Sequence, residues 1–112
     1  MLLISSEVRN LASRAKNKDL QPPDWEGNTF TISNLGMFGI EEFTAIINPN
    51  DACILAVGGI KNTPIVKNGE IIVGNVMKVT LSCDHRIVDG AIGSAFLKTL
   101  KELIEDPIKI LV

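Results

Sequence analysis

The sequence predicts an α+β fold, a mixed sheet flanked by helices. Three observations carry that expectation. Apolar residues recur at helical spacing at the start of the chain and again near its end. Runs with the two-residue period of strands fill the middle. Asn68-Gly69 sits between β-forming residues, the strongest short hairpin signal a sequence offers. Helices at the two ends with strands between them, instead of strict alternation, favour a mixed or antiparallel sheet.

Each element has its own grounds. Ile4, Val8, Leu11 and Ala15 form one stripe, with Glu7, Arg9, Arg14 and Lys16 on other faces, and predict an amphipathic helix over residues 4–17. Residues 17–24 contain Asn17, Asp19, Pro22 and Pro23 and are expected to be a loop. Residues 29–33 alternate Phe30 and Ile32 with Thr29, Thr31 and Ser33, as a strand does. A loop punctuated by Gly36 and Gly39 follows. Residues 43–47 are expected to be a short strand, ended by Asn48-Pro49-Asn50. Residues 52–57 suit a buried strand broken by Gly58-Gly59. The strand returning from the hairpin is expected to run long, over residues 70–83, with Met77, Val79, Leu81 and Cys83 on one face and Lys78, Thr80 and Ser82 on the other. Residues 90–105 are helical, with Ile92, Phe96, Leu100 and Leu103 as the apolar stripe, and Asp106-Pro107 stops the helix. Residues 108–112 form a short apolar tail.

A chain of 112 residues suffices for one domain with a modest core. Its hydrophobic fraction is 46%, which implies both a core and surface buried against other subunits. Net charge is −2 and the charges are dispersed, which argues against nucleic acid as a partner. No apolar stretch reaches the roughly 18 residues of a membrane span. The first four residues lack the charged region and cleavage site of a signal peptide. Cys53 and Cys83 form no close motif and are expected to be free thiols, buried, in a reducing compartment.

The chemistry concentrates in Asp84-His85-Arg86-Ile87-Val88-Asp89-Gly90, which holds the only histidine of the chain at a strand-to-helix junction. If the strand pattern continued, His85 would join the apolar face. It would then be either a satisfied core histidine or a general base kept neutral by partial burial. Asp89, at the helix start, is either a plain N-cap or the group that orients the His85 loop, through Arg86. Arg86 is equally at home as a surface residue. A metal site of Cys83, His85 and Asp89 would be short of ligands. Ser33 taken alone is a turn residue before the glycine loop. That loop lacks the lysine of a phosphate-binding loop.

Three segments in this order, residues 30–39, Ile47-Asn48-Pro49 and residues 84–90, resemble the catalytic domain of the dihydrolipoamide acyltransferases, the core subunits of the 2-oxoacid dehydrogenase complexes. The resemblance covers essentially the whole chain, residues 1–112, and corresponds to the C-terminal half of that catalytic domain. It implies the chloramphenicol acetyltransferase-like fold. The family's lipoyl domain, its peripheral-subunit-binding domain and the first half of its catalytic domain have no counterpart in these residues. Position by position, His85 matches the family's general base, Asp89 the motif's structural aspartate and Ser33 the serine that stabilises the oxyanion. The family's active site lies between subunits of a homotrimer, histidine from one chain and serine from another, and trimers assemble into larger cores. Residues 108–112 match the tail that joins trimers. The implied substrates are coenzyme A and a dihydrolipoyl group carried on a separate domain, with no metal. The implied partners are the 2-oxoacid decarboxylase and dihydrolipoamide dehydrogenase components. The bacterial cytoplasm or the mitochondrial matrix is the implied compartment. Residues 34–40 are most similar to the pyruvate dehydrogenase branch. Two other readings follow from related proteins: a non-catalytic scaffold subunit, and a free-standing enzyme like chloramphenicol acetyltransferase, which shares the His-x-x-x-Asp-Gly motif.

Overall fold

The computed structural model describes residues 1–111. Its architecture is the expected α+β with a mixed sheet. Helix α1 (Leu2–Lys16) and the single turn α2 (Pro22–Trp25) come first, followed by β1 (Phe30–Asn34), β2 (Cys53–Val57), β3 (Lys61–Lys67), β4 (Glu70–Val76), β5 (Val79–Cys83) and α3 (Gly90–Glu105). One sheet has the order β1-β2-β5, parallel between β1 and β2 and antiparallel between β2 and β5. The other is the antiparallel hairpin β3-β4.

The central strand β2 is the core: Cys53, Ile54, Leu55 and Ala56 are all buried. An unbroken apolar run suits a strand covered on both faces. Paired residues share a face, so Phe30, Ile32, Leu55, Leu81, Cys53 and Cys83 lie on the side that α3 covers. There the Phe30 and Phe96 rings pack with centroids 5.7 Å apart. The helix stripe is rotated from the expected one. Gly93 is buried and Leu97 and Leu100 are half-buried, whereas Ile92 is exposed. Gly93 takes the buried place in the first turn, against Leu81 and Cys83 of the sheet, and a periodicity of large apolar residues does not register a glycine.

Two expectations about strands need correction. Residues 70–83 form two strands, because β4 pairs with β3 while β5 leaves that sheet at Met77-Lys78 to pair with β2. Residues 43–47 form no strand. Phe43, Ala45 and Ile47 are half-buried in alternation, as a strand would be, but the segment has no ladder partner. It is held at its start instead: Gly59 N–H donates to the Ile40 carbonyl at 2.8 Å, and a Cβ on Gly58 would meet the Glu41 carbonyl oxygen at 1.9 Å, so only glycine fits there.

The hairpin turn is as expected. Asn68 and Gly69 both take left-handed backbone angles, φ 53° and 79°, which a tight hairpin requires. Pro22, expected in a loop, opens α2. Gln21 and Asp24 cap it reciprocally, and Asp24 also receives Arg14 at 2.6 Å, which ties α1 to α2. Those bonds, first from the Gln21 N–H and then from Arg14, hold the Asp24 carboxyl below the ordinary carboxylate range. Helix α1 otherwise buries none of its residues. Of the apolar stripe that predicted it, Leu11 is half-buried but Ile4 and Val8 are left exposed within this chain, as are Val66, Ile71 and Val73 of the hairpin.

Candidate active site

Strand β5 ends at Cys83, and the chain turns at once. Asp84 makes that turn. Its N–H donates to the Ala52 carbonyl at 2.8 Å, and its own carbonyl accepts from the Ile87 and Val88 N–H groups, both at 2.9 Å. Its carboxylate accepts from the Arg86 N–H at 3.0 Å and from Arg86 Nη2 at 2.8 Å. An aspartate bonded to a backbone N–H two residues on is a self-contained turn. The Arg86 side-chain bonds first, and the Arg86 backbone bond second, pull the Asp84 carboxyl down to about 2. Arg86 is held by this contact although its side chain is 88% exposed.

His85 rides on that turn and is exposed. The core-histidine reading is therefore overturned: the strand ends two residues before His85, so the alternation that would have buried it does not reach it. The imidazole stands at a cavity of about 290 Å³ lined by Leu81, Cys83, Val88, Asp89, Gly93 and Leu97 among others. An accessible imidazole over an apolar recess is placed to exchange a proton with a group entering that recess.

Asp89 is the N-cap of α3. Its carboxylate accepts from the Ile92 N–H at 2.9 Å. It does not reach Arg86, whose partner is Asp84, so any hold on the His85 turn runs through the helix start and not through an arginine bridge. Among the described residues no three His, Cys, Asp or Glu side chains converge as metal ligands.

Ser33 lies elsewhere. It is half-buried on β1, in register with Ala56 and so with Thr80. Its row is three residues from the row of Phe30, Cys53 and Cys83, and His85 lies beyond the latter. At about 3.3 Å per residue the two rows alone are about 10 Å apart. One chain thus does not bring Ser33 and His85 together; it presents them at opposite ends of one sheet. Ser33 adjoins a second recess of about 250 Å³, lined by Asn34, Gly36, Met37, Val57, Gly58 and Met77 among others.

Two further polar interactions were not foreseen. The Asp84–Arg86 clamp is one. The other centres on Asp51, only 5% exposed, which accepts from Asn28 Nδ2 at 2.6 Å and from the Thr31 hydroxyl. It ties Asn28, just before β1, and Thr31, within it, to the residues that lead into β2. The Asn48-Pro49-Asn50 turn beside it marks a surface loop by rule, and no periodicity signals that its last neighbour turns inward.

The family described as 2-oxoacid dehydrogenases acyltransferase (catalytic domain) matches residues 1–112. The acetyltransferase component of the pyruvate dehydrogenase complex of Rickettsia conorii is 48% identical over 112 residues, which are 100% of this chain and 27% of that protein. Similar components occur in other bacteria and in mitochondria. Among solved structures, the dihydrolipoamide acetyltransferase of Azotobacter vinelandii superposes with a TM-score of 0.93 at 34% identity, covering 99% of this chain and 46% of that one. That structure concerns the role of a serine, a histidine and an asparagine in its catalytic mechanism. The cubic core of a pyruvate dehydrogenase multienzyme complex superposes with a TM-score of 0.93 at 33% identity, with the same coverage of 99% and 46%. The present chain therefore spans about a quarter of the curated relatives and just under half of the solved chains. No helix among the described residues is long and apolar enough to cross a membrane.

Proposed function

The chain belongs to the acyltransferase catalytic-domain family of the 2-oxoacid dehydrogenases, and we propose that its residues 1–112 form the C-terminal part of such a domain and move an acetyl group between dihydrolipoamide and coenzyme A. The observation that carries this is the placement of His85: an exposed imidazole on a clamped turn, at the mouth of an apolar recess, with Ser33 at the other end of the sheet. The relative from Azotobacter vinelandii supports it. Its serine, histidine and asparagine stand at the same sequence intervals as Ser33, His85 and Asp89 do here.

In the proposed reaction His85 takes the proton from the coenzyme A thiol, whose ordinary pKa is about 8.5. The thiolate attacks the carbonyl carbon of S-acetyldihydrolipoamide. The oxyanion receives a hydrogen bond from the hydroxyl of Ser33. The tetrahedral intermediate then collapses, the bond to the lipoyl sulfur breaks, and that sulfur recovers the proton from His85. No group of the protein becomes acylated. Asp89 holds the first turn of α3 and with it one wall of the recess. The recess, about 290 Å³, suits the reacting ends of two thiol arms and not a whole coenzyme.

The separation of Ser33 from His85 gives this reading a structural requirement. Each working site takes His85 from one copy and Ser33 from another, as in the interfaces of a homotrimer. Trimers would join into a larger core through the apolar tail, of which Ile108, Ile110 and Leu111 are exposed. The 2-oxoacid decarboxylase, the dihydrolipoamide dehydrogenase and the lipoyl domain are the partners that this role requires, in a bacterial cytoplasm or a mitochondrial matrix.

The test is acetyl transfer from acetyl-coenzyme A to dihydrolipoamide, by this chain and by His85→Ala, with the remainder of the catalytic domain supplied to both. Activity in the first that falls at least about 100-fold in the second supports the assignment. Equal rates in the two would remove His85 from the chemistry.

A further inference from the structure

Cys53 and Cys83 stand directly opposite each other in the antiparallel ladder of β2 and β5. Backbone bonds at both ends of the ladder define what kind of pair they are. The Asp84 N–H donates to the Ala52 carbonyl at 2.8 Å, and the Gly58 N–H donates to the Lys78 carbonyl at 2.9 Å. Each bond joins residues that face one another. Hydrogen-bonded and non-hydrogen-bonded pairs alternate along such a ladder. Cys53 and Cys83, one position in from the first of these bonds, are therefore a non-hydrogen-bonded pair, the kind in which side chains approach most closely. The Cα atoms of such a pair are about 4.5 Å apart, inside the roughly 4.4–6.8 Å that a disulfide spans.

The two thiols are not equally placed. Cys53 is buried, and burial first, then the facing Cys83 thiol, pushes its pKa up. Cys83 is only half-buried and forms part of the wall of the His85 recess. A reagent entering that recess meets Cys83 first, with Cys53 behind it to resolve the adduct.

We propose that Cys53 and Cys83 form a reversible disulfide site, closed by exchange with a low-molecular-weight disulfide that enters the His85 recess. The Cys83 thiolate attacks one sulfur of the incoming disulfide; that S–S bond breaks and one thiol leaves, protonated. A mixed disulfide remains on Cys83. Cys53 gives up its proton and attacks the Cys83 sulfur, and the second thiol leaves with a proton. Two cysteine thiols become one disulfide while the reagent is reduced to two thiols. Cys83 adjoins Asp84, which folds the His85 turn, and its sulfur lies against Gly93 of α3. Closing the bond moves the Cys83 sulfur within that wall and so alters the surroundings of His85. The pairing stands on ladder geometry and is independent of the acyl-transfer reading.

The test treats the 112-residue chain with oxidised glutathione, caps the remaining thiols and digests it. The expected result is a peptide joining Cys53 to Cys83 within one chain, loss of both free thiols and their return on reduction. The ring-proton NMR signal of the only histidine should move and return in step. In Cys53→Ala, glutathione should remain on Cys83. The proposal is overturned if both thiols of the wild-type chain stay free, if glutathione rests on wild-type Cys83 without a cross-link, or if the cross-links join different chains. A cross-link that leaves the histidine signal in place overturns the link to the His85 turn. The wild-type result decides by itself should the variant not fold.

Discussion

Asp84 and His85 are neighbours with separable duties, and pH distinguishes them. The Asp84 carboxyl is depressed from its ordinary 3.8 to about 2 by Arg86. A carboxylate held lower in the folded chain than in the unfolded one adds stability that is fully present above the unfolded value. That stability is lost as pH falls through about 2. The Asp84 carboxyl carbon should accordingly titrate near 2 by NMR, and in Arg86→Ala its midpoint should rise toward 3.8. An unchanged midpoint would show that Arg86 is not the cause. Asp89 gives a second residue-level expectation. Its alanine variant loses the cap on the Ile92 N–H, at a cost of about 1 kcal/mol seen as a lower melting temperature. Asn caps as well as Asp, so Asp89→Asn should melt close to the wild type. Much of the proposed site was legible as residue types at a junction: a histidine, a carboxylate four positions on, and a helix start. The expected strand end at Cys83 is where β5 ends; what the sequence left open was whether its alternation carried on to His85. Alternation continued through His85 would have buried it, and only the bonds that Asp84 makes show why the strand stops.

Elements with strong local codes were the ones the sequence revealed. Asn68-Gly69 demands left-handed angles at both positions and obtains them, so the β3–β4 hairpin followed from two residues. Gly69→Val should be strained there by about 1–2 kcal/mol. Amide exchange in β3 and β4 should quicken while the β1-β2-β5 sheet is unaffected; unchanged exchange in the hairpin would contradict the role of that angle. Elements defined by their partners were less legible. The period-two pattern from Met77 to Cys83 follows the β-forming residues of β4 with no turn signal between them, yet the chain changes sheets at Met77-Lys78. Alternation reports which face is covered and not which strand lies alongside. Residues 43–47 show the converse case, since their alternation is real but no strand comes to pair with them. Helix α1 was predicted from a stripe of which only Leu11 is half-buried within this chain, while Ile4 and Val8 stay exposed.

At the scale of the molecule, the sheet faces α3 while α1, the hairpin and the tail present apolar side chains outward. Exposed apolar surface on this scale marks contact surfaces, and the 46% hydrophobic composition anticipated it. The same sheet holds Ser33 and His85 at opposite ends, a geometry that makes sense if neighbouring copies complete each other's sites. The measurement that tests this most directly mixes two variants, His85→Ala and Ser33→Ala, in the acetyl-transfer assay that tests the proposed function. If His85 of one copy works with Ser33 of the next, a mixture of the two contains intact sites. Random pairing in a closed ring should then restore on the order of a quarter of the wild-type rate. A mixture no more active than the average of its two components, with mixed assemblies shown to form, would contradict a site shared between chains.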